Sequence, residues 1–203
     1  MTTCVVGLGK IGLPLAVQIA TKGEHVIGAD INDLVVQKIN SAQVPFPGER
    51  KLPELLKEVV DSGHLMASTD TKEAVSQANY VIVVVPVIVD DSAAPDFSAI
   101  DSATRNIAEG LTPGTLVCYE TTLPIGTTRT RFAPVLEKTS GLTCGSDIFI
   151  AYSPERVFSG RIFADLRAYP KLVGGLDPIS ADRAVAFYER ILDFDNRDDL
   201  SRP

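Results

Sequence analysis

The chain has 203 residues, 45% of them hydrophobic, enough for one large domain or for one domain and part of another. Its net charge of −7 disfavours nonspecific nucleic-acid binding, and no apolar run approaches the length of a membrane span. Three cysteines without a CxxC spacing argue against a disulfide framework or a zinc site, and for a reducing cytoplasm.

The first thirty residues organise everything that follows. A short apolar run (Cys4, Val5, Val6) starts almost at Met1, so no secretory leader is expected. It leads into Gly7-Leu8-Gly9-Lys10-Ile11-Gly12, then a helical segment over residues 13–20 and a second apolar run over 25–29 that ends in Asp30. This is the βαβ fingerprint of a dinucleotide site. Gly7 permits a sharp turn, Gly9 lets a pyrophosphate approach the backbone, and Gly12 lets the helix pack on the strand. Amides near Lys10 and Ile11 face the phosphates with the help of the helix dipole. Asp30 accepts from the adenosine ribose hydroxyls. Its charge repels a 2′-phosphate, and Ile31, Asn32 and Asp33 offer no cation to hold one, which favours NAD over NADP.

Further along, helices are predicted over residues 32–40 and 51–62, with a loop between them and Gly63 closing the second. Residues 64–68 can form a short strand. Asp70 and Glu73 form a capping box for a brief helix ending near Ala78. Residues 80–85 are an unbroken apolar run that suits a strand buried on both faces, and Pro86 ends it. Residues 87–95 read as a loop. Helical spacing of Ile100, Ala103, Ile107, Ala108 and Leu111 predicts a helix over 97–111. A strand over 115–122 follows, then a helix over 127–139 that Pro134 interrupts or kinks. The last strands are expected at 148–152 and 171–174, with Ser153-Pro154-Glu155-Arg156 directly after the first of them. Residues 178–192 read as a helix, and 193–203 as a loose tail. Of the cysteines, Cys4 and Cys118 lie in strand-like runs and Cys144 in a polar loop.

Alternating strands and helices predict an α/β, Rossmann-like, doubly wound and mostly parallel sheet with helices on both faces. The NAD-binding domain is expected over residues 1–176, with a trailing helix and tail over 177–203. Ligands in such sheets bind at the carboxyl ends of strands. That rule marks the glycine loop, Asp30, the segment after Val85, and the segments starting at Glu120 and Ser153.

Several stretches together resemble the UDP-glucose/GDP-mannose dehydrogenase family: Gly7 to Ala16, Tyr119-Glu120-Thr121-Thr122-Leu123-Pro124-Ile125-Gly126, and Ala151-Tyr152-Ser153-Pro154-Glu155-Arg156-Val157. The Pro-Glu-Arg-Val form is similar to the branch that oxidises UDP-N-acetylhexosamines, such as UDP-N-acetylmannosamine. The resemblance implies two successive NAD molecules that oxidise a sugar C6 alcohol to a carboxylate in polysaccharide precursor synthesis, through an intermediate held on a cysteine. It also implies a UDP-sugar partner and is compatible with a homodimer. Gly7, Gly9, Lys10, Ile11 and Gly12 would then hold the pyrophosphate, Asp30 the ribose, and Pro86 and Val87 a further part of the cofactor. Thr122 would face the nicotinamide, Glu155 would act as an active-site acid, and Glu155, Arg156 and Val157 would touch the UDP-sugar. Glu155 follows an apolar strand directly, so partial desolvation is expected of it.

The chain departs from that pattern in two ways. Val87 stands where the family usually carries a threonine. The family's nucleophilic cysteine, central helix and C-terminal domain have no counterpart here, so the chain is read as truncated and inactive alone. Two other readings compete: a stand-alone NAD-binding or interaction module, and a methyltransferase, which the segment 153–157 disfavours.

Overall fold

The structure, a computed structural model, describes residues 1–193, so the expected loose tail falls outside the described residues apart from Asp193. Seven strands form one sheet in the order β3-β2-β1-β4-β7-β8-β9. They are β1 (Thr2–Val6), β2 (His25–Ala29), β3 (Leu65–Ser68), β4 (Tyr80–Val83), β7 (Leu116–Tyr119), β8 (Phe149–Tyr152) and β9 (Gly174–Gly175). All pairings are parallel except β8 with β9, where Ala151 faces Gly175 and Tyr152 faces Gly174. The order runs outward in both directions from β1 and β4, so the topological switch point lies between those two strands.

Period-two alternation buries both faces. Val5, Ile82, Leu116, Cys118, Phe149 and Ala151 join one cluster, with helices α1 (Gly12–Ala20), α3 (Leu52–Asp61), α7 (Ile162–Ala168) and α8 (Pro178–Ile191). Cys4, Val6, Val81, Val83, Val117, Tyr119, Ile148 and Ile150 join the other, with α4 (Thr71–Ser76), α5 (Ser98–Gly110) and α6 (Ala133–Ser140). α2 (Asp33–Asn40) packs beside β3 and α3. The helix set apart in sequence as trailing is part of this core: α8 buries Ala184, Phe187, Tyr188 and Ile191 against β7, β8 and β9.

The strands are shorter than the apolar runs that announce them. β4 stops at Val83 and β7 at Tyr119, because pairing ends where β1 turns away at Gly7. Single bonds continue past the ends, from Val84 N–H to the Val6 carbonyl (2.9 Å) and from Glu120 N–H to the Val83 carbonyl (2.9 Å). The predicted helix over 127–139 is interrupted just before Pro134, where a π-helical stretch gives way to α6. Pro134 lies in the first turn of α6, where no intrahelical donor is missed, and the π-helical turn at Thr128–Phe132 leads into it. The predicted loop 87–95 contains a small antiparallel hairpin, β5 (Ile88–Val89) with β6 (Pro95–Asp96). Asp90 organises its turn by accepting from the amides of Ser92 and Ala94.

Candidate functional site

Every predicted site residue comes after the carboxyl end of a strand. Gly7–Gly12 follow β1, Asp30 follows β2, Pro86 and Val87 follow β4, Thr122 follows β7, and Glu155–Val157 follow β8. The chain reverses at Gly7 with φ +93°, a conformation that favours glycine. A Cβ on Gly12 would lie 1.8 Å from the Gly7 carbonyl oxygen, so α1 touches the strand turn through backbone alone. A Cβ on Gly9 would meet nothing within 4 Å, which leaves that flank of the loop open. No side chain caps α1, whose first turn holds Pro14, which has no amide, and Leu13, whose amide donates to the Gly9 carbonyl at 3.1 Å. Lys10 is exposed, while Ile11 packs partly against the core.

Beside the loop lies a cleft of about 290 Å³ whose walls include Gly7, Asp30, Ile31, Val85 and Pro86. Its far wall is Ala99, Ser102, Ala103 and Asn106 of α5, with Thr71 of α4. Asp30 is already organised: Oδ2 accepts from Leu8 N–H at 2.8 Å and Oδ1 from Asn32 N–H at 2.9 Å. Each oxygen keeps a lone pair for a ribose hydroxyl. Val87 packs partly against the core and is not among the residues lining the cleft. Thr122 is exposed, and the neighbouring Thr121 ties the two loops together by donating to the Val85 carbonyl at 2.6 Å.

The second part of the site is a buried charge cluster. Glu155 is half-buried, and its Oε2 accepts from Lys171 Nζ at 2.7 Å. Lys171 also lies 3.1 Å from Glu120 Oε2, and the Tyr188 hydroxyl donates to Glu120 Oε1 at 2.6 Å. Burial, reinforced by the Glu155 charge, raises Glu120 above the ordinary carboxylate range against the pull of Lys171. Burial works to lower Lys171, but attraction to Glu120 and Glu155 outweighs it and holds the amine protonated. Arg156, expected to reach for a diphosphate, instead donates to the Pro170 carbonyl. Val157 packs partly against the core.

The family profile for the UDP-glucose/GDP-mannose dehydrogenase family, NAD binding domain, matches residues 1–192. The chain belongs to this family. It is 40% identical over 190 residues to UDP-N-acetyl-D-mannosamine dehydrogenase of Pyrococcus horikoshii, covering 93% of this chain and 44% of that protein. Identity to the enzyme of that name from Escherichia coli is 35% over 198 residues, covering 95% of this chain and 46% of the relative. A solved UDP-D-ManNAc dehydrogenase structure from Pyrococcus horikoshii superposes with a TM-score of 0.90 at 36% identity, covering 96% of this chain and 46% of that one. GDP-mannose dehydrogenase from Pseudomonas aeruginosa, solved as a ternary complex, gives 0.88 at 25% identity, covering 93% and 44%. The chain thus spans about half the length of the relatives it matches.

As the NAD-binding domain of the UDP-glucose/GDP-mannose dehydrogenase family, the fold takes NAD, and the residues present fit it. The uncapped start of α1, the unfilled flank of Gly9, the Asp30 carboxylate fixed by two backbone amides and the apolar cleft floor are what a dinucleotide requires. Sequence reasoning missed Ser102 and Asn106, although Ala99, Ser102, Ala103 and Asn106 recur at one-face helical spacing. It quoted Glu120 without giving it a role, although the logic applied to Glu155, a charge directly after a buried strand, holds there too. No sequence signal links Lys171 to either acid.

Proposed function

We propose that this chain is the cofactor-holding half of a nucleotide-sugar 6-dehydrogenase that converts the C6 alcohol of a UDP-N-acetylhexosamine to a carboxylate. The observation that carries the reading is the placement of Gly7, Asp30, Pro86, Thr122 and Glu155 after the carboxyl ends of β1, β2, β4, β7 and β8, along one edge of one sheet. The sugar class rests on the names of the relatives. NAD, when bound, accepts the hydride. Backbone of Gly7, Gly9, Lys10, Ile11 and Gly12 holds its pyrophosphate, Asp30 its ribose, and Pro86 the adjoining wall, with Val87 offering at most its backbone. Thr122 offers a hydroxyl from the end of β7 toward the reacting side. Glu155 manages a proton or water at the end of β8. Arg156 and Val157 meet the sugar nucleotide, Arg156 by exchanging the Pro170 carbonyl for a phosphate oxygen. The same reading puts the protein in the cytoplasm, in the synthesis of polysaccharide precursors.

The chain by itself does not complete this oxidation in our reading, because thioester chemistry needs an accessible thiolate. Burial pushes Cys4 and Cys118 up to about 12. Desolvation and the nearby Glu137 push Cys144 up to about 12. Incubation with NAD and UDP-N-acetylmannosamine is therefore expected to give no rise in NADH absorbance, whereas sustained turnover would overturn the inactivity. Calorimetry is expected to show NAD binding that Asp30→Ala weakens, and an absence of binding at millimolar NAD would sink the cofactor reading. A stand-alone interaction module is a second reading, favoured by exposed Ile125, Phe158 and Leu172 near the site. A monomer by light scattering, with no partner, would count against it.

A further inference from the structure

Lys171 is enclosed more completely than a lysine needs to be. Its side chain is 6% exposed, between Glu120 at 0% and Glu155 at 12%. The two carboxylates hold it differently. Glu155 Oε2 accepts a hydrogen bond from Lys171 Nζ at 2.7 Å, whereas Glu120 Oε2 pairs with the same ammonium at the longer distance of 3.1 Å. Glu120 therefore acts on the ammonium mainly through its charge, and the ammonium donates its shorter hydrogen bond to Glu155. Glu120 is itself fixed by the Tyr188 hydroxyl, whose ring lies 4.8 Å below the ammonium.

The same place is where two chain segments meet. Ser153 Oγ donates to the Leu172 carbonyl at 2.7 Å, and Arg156 donates to the Pro170 carbonyl. The Glu155 amide donates to the Glu120 carbonyl at 3.0 Å, and Glu155 Oε1 accepts from the Arg156 amide at 2.8 Å. Turn 153–157 is thus stitched to segment 170–172 at several points, with the lysine at the centre. Packing alone does not call for this arrangement. Apolar side chains at all three positions would fill the same volume without taking charged groups out of water.

We propose that Lys171 is the positioning residue for Glu155: an ammonium anchored by Glu120 and Tyr188 that fixes the Glu155 carboxylate in one place and keeps turn 153–157 closed on segment 170–172. That Glu155 then serves an oxidation rests on the function proposed above. The clamp itself does not, and it can be tested on this chain alone.

The test compares amide resonances of the uniformly labelled chain with those of Lys171→Met, Lys171→Arg and Glu155→Gln, with NAD titrated into each sample. Lys171→Met is expected to shift the Arg156 and Glu155 amides in the direction Glu155→Gln shifts the Arg156 amide, and to lower Arg156 amide protection on the order of tenfold. The Leu8 amide, bonded to Asp30, and the NAD affinity stay at their wild-type values. Lys171→Arg restores the Arg156 resonance. If Lys171→Met fails to fold, Glu120→Gln removes the Glu120 charge while keeping an acceptor for Tyr188, and the same shift is expected. An unmoved Arg156 amide in whichever of these folds overturns the proposal, as does failure of Lys171→Arg to restore it. Absence of NAD binding to the wild type would instead sink the cofactor reading and leave the clamp result standing.

Discussion

Gly9 and Gly12 lie in one loop, but their surroundings differ, and alanine at each position separates a binding effect from a packing effect. At Gly12 the added carbon would stand 1.8 Å from the Gly7 carbonyl oxygen and 3.0 Å from its carbon. Both are backbone atoms that cannot rotate away, so α1 must lift from β1. An overpacking cost of about 1–3 kcal/mol, or more, follows, which at roughly 2–4 °C per kcal/mol for a domain of this size is an obvious drop in Tm. At Gly9 the same carbon meets no protein atom within 4 Å and the backbone is not left-handed. The apo protein is expected to melt within about 2 °C of wild type. The carbon does occupy the open flank from which a pyrophosphate would approach. NAD affinity is expected to fall at least about tenfold, about 1.4 kcal/mol. Differential scanning fluorimetry without ligand and calorimetric titration with NAD read the two effects independently. Wild-type NAD affinity in Gly9→Ala would refute the phosphate cradle, and a wild-type Tm in Gly12→Ala would refute the backbone contact.

Asp30→Asn keeps an acceptor for a backbone amide but removes the charge, so the preference for NAD over NADP is expected to narrow in competitive titrations. Tyr188→Phe leaves Glu120 Oε1 buried without its donor and is expected to cost about 1–3 kcal/mol in urea unfolding. Alkaline pH is expected to destabilise the chain from about pH 9 upward. The unfolded thiols of Cys4 and Cys118 titrate at the ordinary 9.0, while burial holds the folded ones to about 12. Between those values the unfolded state binds fewer protons than the folded state, so stability falls as pH rises, by about 1.4 kcal/mol per pH unit for each thiol. Lys171, raised above 10.5 when folded, contributes stability that is present below 10.5 and lost as pH rises through its folded value. Urea midpoints between pH 8 and 11 measure the sum, and replacing Cys4 and Cys118 by alanine is expected to make the first limb shallower, with Cys144 left to contribute. An unchanged slope in that double variant would contradict the thiol assignment.

What could be read from the sequence was local. The glycine loop, α1 and Asp30 lie within thirty consecutive residues, and the contacts that join them, Leu8 to Asp30 and Gly12 to Gly7, fall inside that unit. Strand ends were not legible, because Val84 and Val85 are as apolar as Val83. Only the turn of β1 at Gly7 takes their partner away. α7 escaped notice for a related reason. Its Ile162, Phe163 and Leu166 fill barely two turns, and its start is held from outside by Glu49, which accepts from the Ile162 amide at 3.0 Å.

The charge cluster shows the same limit more sharply, and it changes how Glu155 is understood. A carboxylate directly after a buried strand suggests an acid stranded in an apolar place. Period-two geometry applied to β7 puts Glu120 on the face of Leu116 and Cys118, beneath α8, so a second acid is driven into the same interior. Two such carboxylates cannot both be buried uncompensated, and the fold answers with one lysine and one tyrosine from distant segments. The folded charge pattern at the end of β8 is therefore a property of three elements together: β7 supplies the buried acid, the segment before β9 the cation, and α8 the hydroxyl. The acid that sequence motifs single out is the most solvent-accessible member of that group. Its position is inherited from residues that no motif contains.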